Sequence, residues 1–296
     1  SNSMTPGGVR GLIKRKTPAK RQEQGFYLGR PRPGRATPVS WAGQVPVPPM
    51  SWPPFDSPCL TPPTESPGPL GPCLHCQIRH LAICGVLTPA EVQAMDAVAS
   101  LQVLESGAVL ARQGEPRRHV YTVTQGALRL VRLSADGRRQ VSGFAMPGDF
   151  VGLSGAATYP HDIEALAHTE LCRISMESMQ RLGARFPHLQ GKLLERACNE
   201  LDTAHDRMMS LARMNPTERM ADFLLRLAEQ QVRAGNSGTS IFLPMPRADI
   251  ADHLGLTVET VSRCLTALRT RGLITLPGTY RVELLDVPGL KALEAA

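Results

Sequence analysis

The chain has 296 residues, of which 42% are hydrophobic and 20% charged, enough for two modest domains with cores of their own. Its formal charge is +7, but residues 1–40 carry nine Lys/Arg against one acid, a net +8, so the remaining 256 residues come to −1. The basic balance therefore belongs to a tail and says nothing about a nucleic-acid surface on the folded part. No apolar run approaches the ~18 residues a membrane span needs, and the N-terminal stretch lacks the apolar core of a secretory signal. Seven cysteines, an odd number, then imply reduced thiols in a cytoplasmic protein, with no disulfide framework and no membrane partner.

Residues 1–70 hold fifteen of the 26 prolines and almost no apolar periodicity, so they are expected to be a disordered tail. The run Arg10–Arg35 reads as solvated rather than as a nucleic-acid arm, and Met50 offers a second start besides Met4. The segment CLHCQIRHLAIC follows, with Cys73-x2-Cys76-x7-Cys84. Three closely spaced thiols can supply most of an iron–sulfur site, or a zinc site completed by His75 or His80, or remain unligated. LTPAEVQAMDAVA predicts a short helix, with Thr88 as its cap, Pro89 first and Glu91 third after the cap. Glycine turn signals at Ser106-Gly107, Gln113-Gly114, Gln125-Gly126, Asp136-Gly137 and Pro147-Gly148 then recur about every ten residues, the spacing of a compact antiparallel sandwich or barrel. The clearest hairpin is LRLVRLSADGRRQVSGF, turning at Asp136-Gly137.

Beyond Pro187 the period becomes helical. Leu194, Ala197, Leu201, Ala204, Met208 and Leu211 repeat at alternating spacings of three and four, an a/d seam that predicts a dimerisation helix. An amphipathic helix follows from Pro216 to about Gln231, then a loop at AGNSG (234–238) and a strand in IFLPM. PMPRADIADHLGLTVETVSRCLTALRTRGLI predicts two helices around a turn: Arg247–Leu254, then Gly255 with positive φ, then Val258–Thr270 capped by Thr257. Glu259, Ser262 and Arg263 occupy the exposed start of the second helix, flanked by Thr257, Thr260 and, on the first helix, Arg247. Residues at that end of such a helix reach base edges in the major groove: arginine bridges guanine O6 and N7, and a carboxylate accepts from cytosine N4. GLITLPGTYRVELL completes the domain as a two-stranded wing turning at Pro277-Gly278.

The sheet region, the heptad helix and the run LGLTVETVSR together resemble the CRP/FNR superfamily of bacterial transcription regulators, and the cysteine spacing resembles its oxygen-sensing FNR branch. The resemblance covers residues 73–285 and is most specific at the cysteines, at GDFVG (148–152) and at the second helix. It implies an α+β fold: a β-roll sensor domain with the cysteine loop (71–175), a dimerisation helix (176–213) and a winged helix-turn-helix domain (214–296). It further implies a homodimer on double-stranded DNA, reading a TTGAT-like inverted repeat. A 4Fe–4S cluster per chain would be held by Cys73, Cys76, Cys84 and a fourth cysteine, which by position in ALAHTELCRI is Cys172. Oxygen destroys such a cluster and releases DNA. The hairpin residues Asp136, Gly137, Arg138 and Arg139 correspond to a surface that touches RNA polymerase in relatives. Cys59, Cys198 and Cys264 have no counterparts and are expected to be small buried or incidental residues.

Two departures matter. Relatives of the best-known oxygen-sensing type place a carboxylate at the seam position held here by Ala204, which predicts a dimer less dependent on its cluster. Cyclic-nucleotide-binding relatives present an Arg-Ser pair to the phosphate, whereas GDFVGLSGAATYPHDI has no arginine, so no cyclic nucleotide is expected. Competing expectations are a zinc-stabilised or thiol-redox regulator, and a haem gas sensor using His119 or His161. No nucleophile–base pair, phosphate loop or paired carboxylate motif points to an enzyme.

Overall fold

The computed structural model describes residues 72–134 and 136–294; the proline-rich tail, residues 1–70, and Cys59 within it lie outside the described residues. Two 3₁₀ turns, Pro72–His75 and Ile83–Val86, carry the cysteine loop into helix α1 (Pro89–Asp96). The start of α1 is fixed by a capping box, in which the Thr88 hydroxyl accepts from the Glu91 N–H and the Glu91 carboxylate accepts from the Thr88 N–H.

Eight strands follow: β1 (Ser100–Leu104), β2 (Val109–Ala111), β3 (His119–Gln125), β4 (Leu128–Leu133), β5 (Arg139–Ala145), β6 (Phe150–Val151), β7 (Asp162–Ala165) and β8 (Thr169–Ser175). They form two four-stranded antiparallel sheets, ordered β1-β8-β3-β6 and β2-β7-β4-β5. Val123, Leu128, Ile163 and Leu171 fill the space between the sheets, so this is the expected roll with side chains inside. All five glycines of the turn signals have positive φ. At Gly126 a second constraint applies, because a Cβ there would come within 2.4 Å of the His168 carbonyl oxygen.

Helix α2 (Met176–Arg185) leaves the roll directly from β8, and α3 (Pro187–Arg213) continues it. The stretch expected as one dimerisation helix is thus two. Pro187 has no N–H to extend α2 and forces the preceding Phe186 into extended backbone (φ −123°, ψ 90°), which buries the phenyl ring. The C-terminal part comprises α4 (Pro216–Arg233), β9 (Ser240–Phe242), α5 (Arg247–Leu254), α6 (Val258–Thr270), β10 (Ile274–Gly278), β11 (Arg281–Leu284) and α7 (Val287–Glu294). The wing differs from expectation in two ways. Its turn falls after Gly278, which still pairs with Arg281, and β9 joins it as a third strand in the order β10-β11-β9. Met220, Leu224, Ile250, Val261, Leu265 and Leu268 form the core of this part, and the cluster continues into Ala127, Met146 and Leu166 of the roll.

Candidate cysteine site and nucleic-acid interface

The cysteine loop is tied down at both ends. The Cys73 N–H donates to Asp96 Oδ1 at 2.9 Å, and Arg79 donates to the Leu87 carbonyl at 2.6 Å. Ala82, Ile83 and Leu87 turn inward, Ile83 and Leu87 joining Val120, Phe150, Ile174 and Leu189 in one apolar cluster. Cys73, Cys84 and Cys172 pack against that cluster. Cys172 lies on β8, in register with Leu101 of β1 and Thr122 of β3, so a central strand holds it rigidly beneath the loop.

The four thiols are near enough to feel one another's charge. Burial pushes Cys84 up to about 11, and Cys76 adds to the effect. Burial pushes Cys172 up to about 12, with Cys84 and Cys76 contributing in the same direction. Cys73 is pushed up by burial, then by its hydrogen bond with Asp96 and by Cys172, while burial alone is the chief cause at Cys76. The thiols are therefore protonated at neutral pH, and a bound cation is what would convert them to thiolates. Among the described residues no three His, Cys, Asp or Glu side chains stand close enough to hold a metal ion as they are. The donor set nevertheless suits a thiophilic centre: Cys73, Cys84 and Cys172 pack against one apolar cluster, and Cys76 is near enough for its charge to reach Cys84 and Cys172. His75 and His80 are exposed, and His80 Nδ1 faces the Gln77 carbonyl at 3.0 Å. Of the other cysteines, Cys264 is buried in the C-terminal core and Cys198 is exposed on α3. His119 stands beside Tyr121, with ring centroids 6.3 Å apart, and burial lowers the basicity of both His119 and His161.

The helix pair is built as its residues dictate. Gly255 ends α5 in left-handed backbone (φ 64°, ψ 40°), and the Thr257 hydroxyl accepts from the Thr260 N–H to start α6. Val261, Leu265 and Leu268 are buried, which turns Glu259 and Arg263 outward, with Ser262 half-buried between them. Arg263 donates to the Thr260 hydroxyl at 3.1 Å. The Glu259 carboxyl is held below its usual range by its own backbone N–H, then by the Thr257 hydroxyl and the Arg263 charge. Arg247 is half-buried at the first position of α5.

The β4–β5 hairpin does something its sequence did not announce. Asp249 of α5, with a side chain only 4% exposed, sits between Arg129 of β4 at 2.8 Å and Arg139 of β5 at 2.9 Å. Arg139 also pairs with Asp252, and Gln140 donates to the Asp252 carbonyl. His253 Nδ1 meets the Val141 carbonyl at 3.2 Å, and Arg207 of α3 donates to the Ser142 carbonyl at 2.7 Å. Of the four hairpin residues expected at a polymerase surface, Asp136 and Arg138 pair with each other at 2.7 Å and Gly137 forms the turn, while Arg139 is engaged with the helix pair. No short-range pattern links residues 110–120 positions apart, so only the fold reveals this contact.

On α3, Leu194, Leu201, Met208 and Leu211 are more than half exposed, Ala204 is exposed and Ala197 half-buried, so the a/d residues form an apolar stripe on the outside of the chain. In the loop where a cyclic phosphate would need a cation, Arg117 enters from another segment. Its guanidinium is spent on the carbonyls of Gly152, Ser154 and Ala156, at 2.8 to 3.2 Å.

Comparison with known proteins agrees with this architecture. Residues 101–186 match the family described as a cyclic nucleotide-binding domain, and residues 218–293 match the Crp-like helix-turn-helix domain. The chain is 35% identical to the nitrogen fixation regulation protein FixK of Bradyrhizobium diazoefficiens, over 76% of this chain and 94% of that one. It is 32% identical to the transcriptional activator protein FnrL of Cereibacter sphaeroides, over 75% and 91% respectively. It is 34% identical to the transcriptional activator protein anr of Pseudomonas aeruginosa, over 75% and 91%. Among solved structures, that of FixK2 from Bradyrhizobium japonicum superposes with a TM-score of 0.63 at 34% identity, covering 67% of this chain and 98% of that one.

Proposed function

The chain belongs to the CRP/FNR family of transcription regulators, and from that premise we propose that it is an oxygen-responsive activator carrying a 4Fe–4S cluster. The family is one of DNA-binding regulators rather than enzymes, and the chain carries its helix-turn-helix domain. The observation that supports the finer reading is that Cys73, Cys84 and Cys172 pack against one apolar cluster, with Cys76 near enough for its charge to reach Cys84 and Cys172. These four residues would be the ligands. When bound, such a cluster supplies iron–sulfur bonds that molecular oxygen breaks.

The chain's own part in the mechanism is mechanical. Cys172 is fixed in a central strand whose next residues lead into α2, and Cys73 and Cys84 of the loop sit on the cluster that buries Phe186 and Leu189 at the root of α3. Drawing the loop onto β8 therefore braces the base of the helix whose outer stripe, Leu194, Leu201, Met208 and Leu211, is suited to pairing with a second copy. A twofold dimer then offers two α6 helices to an inverted repeat of TTGAT-like half-sites, with Arg263 reading guanine and Glu259 cytosine. The missing arginine in residues 148–163, and the commitment of Arg117 to carbonyl oxygens, argue against control by a cyclic nucleotide.

Anaerobic purification tests the reading. A brown protein with about four iron and four sulfide per chain, bleached by air, is expected. Colourless protein with bound zinc would overturn it in favour of a zinc-stabilised or thiol-redox regulator, and a sharp Soret band would replace it with haem sensing.

A further inference from the structure

The turn Pro147-Gly148-Asp149 touches the cysteine loop, α3 and α4. Gly148 has φ +92°, and a Cβ there would come within 2.6 Å of Cβ of Leu81, the residue midway along the loop between Cys76 and Cys84. The loop thus rests directly on the backbone of this turn, and Phe150 beside it lies in the apolar cluster against which Cys73, Cys84 and Cys172 pack. The Asp149 carboxylate faces the other way. One oxygen accepts from Arg196 of α3 at 2.6 Å, and Arg196 also reaches the Gly148 carbonyl at 3.3 Å. The other oxygen accepts from Gln230 of α4 at 2.5 Å and from the Met146 N–H at 2.9 Å, which locks the turn to its own side chain.

From this geometry we infer that Asp149 is a positioning residue that couples the cysteine loop to the DNA-reading domain. The loop already meets the root of α3 through Leu189, a route that stops at the dimer helix. The Gln230 contact is different because α4 opens the C-terminal domain, whose core it shares with α5 and α6. A shift of Leu81 against Gly148 moves the backbone carrying Asp149, and with it one anchor of α3 and one of α4. The turn is short and its glycine admits no side chain; its backbone pairs with Val123 of β3, and outside the roll it meets α3 and α4 each through a single polar side chain. Any displacement of the loop is therefore transmitted as the loss or gain of two charge-assisted hydrogen bonds rather than absorbed in soft packing. The inference rests on the reading of the four cysteines as the sensing site, but the contact path holds whatever those thiols bind.

Coupling between sites is reciprocal, so DNA bound at α6 must change the loop as the loop changes DNA binding. The test uses the full-length, metal-free protein and a duplex bearing a TTGAT inverted repeat. The rate of maleimide labelling of Cys76 and Cys84 is followed by peptide mass mapping, with and without the duplex at saturating concentration. Wild-type protein should be protected by DNA at least about fivefold, the lower end of ordinary coupling between sites. Gln230→Ala should reduce that factor to near one while the protein still binds the duplex, and Arg196→Gln should reduce it partly. Asp149→Asn keeps an acceptor for the Met146 N–H, so it tests the charge without undoing the turn, and should behave like the pair of partner variants together. Protection of equal size in all four proteins would overturn the inference, as would absence of protection in the wild type. Iron and sulfide content of anaerobic protein reports on the cluster separately, so the two readings fail independently.

Discussion

Replacing Asp249 with asparagine should loosen the joint between the sensor roll and the DNA-reading helices by a measurable amount. The carboxylate is almost fully buried, and its two oxygens are divided between Arg129 at 2.8 Å and Arg139 at 2.9 Å. Removing one partner of a buried ion pair costs about 3–5 kcal/mol, because a charge is left unpaired in a poorly solvated place. Two features reduce that figure here. Arg129 keeps Glu164 at 2.6 Å and Arg139 keeps Asp252, and the two arginines are 22% and 31% exposed. Screening and the second partners should together halve the cost, to ~2 kcal/mol. The assay is urea unfolding followed by circular dichroism, alongside the affinity for an inverted-repeat duplex. Stability should fall by that amount, and DNA affinity should fall with it because α5 supports the recognition helix α6. Arg129→Gln combined with Asp249→Asn should cost less than the sum of the two single changes. A loss below ~0.5 kcal/mol, the range of ordinary surface changes, would refute the claim that the carboxylate is held between two guanidinium groups.

Three further outcomes are expected. Burial, then the Arg207 charge, lowers the His253 imidazole from 6.5 to about 4, so the folded protein keeps it neutral while the unfolded chain protonates it. Stability should therefore be unaffected by this group above pH 7 and fall as pH drops from 6.5 towards 4, by ~2 kcal/mol after allowing for partial exposure. Urea midpoints at pH 7 and pH 5 should show a difference that His253→Gln diminishes, and an undiminished slope would refute it. Arg263→Ala should cost ~1–3 kcal/mol of binding and relax the preference at one guanine in a base-by-base competition assay; an unchanged preference would remove it from base reading. Because Ala204 brings no charge to the seam, cluster-free protein should sediment as a dimer at micromolar concentration, and a wholly monomeric species would contradict this.

Much of the fold was legible because its signals are local. The capping pair Thr88 and Glu91, the turn glycines, and Gly255 followed by Thr257 each act within four residues, and the structure has each where the sequence pattern puts it. The span 176–213, expected from the resemblance as one helix, holds two, because the seam periodicity begins only beyond Pro187 and says nothing of the ten residues of α2 before it. Pro187 was visible, but whether it kinks a helix or starts a new one depends on where Phe186 is buried. The wing turn falls later than expected because Pro277 and Gly278 look like a turn, while the pairing of Gly278 with Arg281 of β11 carries the strand to that residue. At the cysteine site, three residues lie in one short motif, but the approach of Cys172 depends on strand order. The Asp249 and Asp149 contacts had no signal at all, since a single aspartate surrounded by ordinary residues reveals its partner only after folding.

On the proposed reading of the four cysteines, the placement of their loop also explains why thiols would suit a trigger at this point in the chain. The loop spans residues 72–87 yet buries only Ala82, Ile83 and Leu87, and its secondary structure is two single 3₁₀ turns. Fixing a residue's backbone costs about 1–2 kcal/mol of conformational entropy, and so few buried side chains leave the loop with little surplus once it is ordered. The roll beneath it is different: its central strands β8, β3, β7 and β4 are paired on both sides and its interior is filled by Val123, Leu128 and Leu171. The loop, with few buried side chains of its own, thus lies on a rigid sheet, packing with Cys172 against one apolar cluster and resting on Gly148. Segments at the low end of local stability respond most to an added or removed tie. On that reading, a bond through sulfur between loop and sheet would be the strongest tie these residues can make, and Leu189 and the Asp149 carboxylate lie next to it.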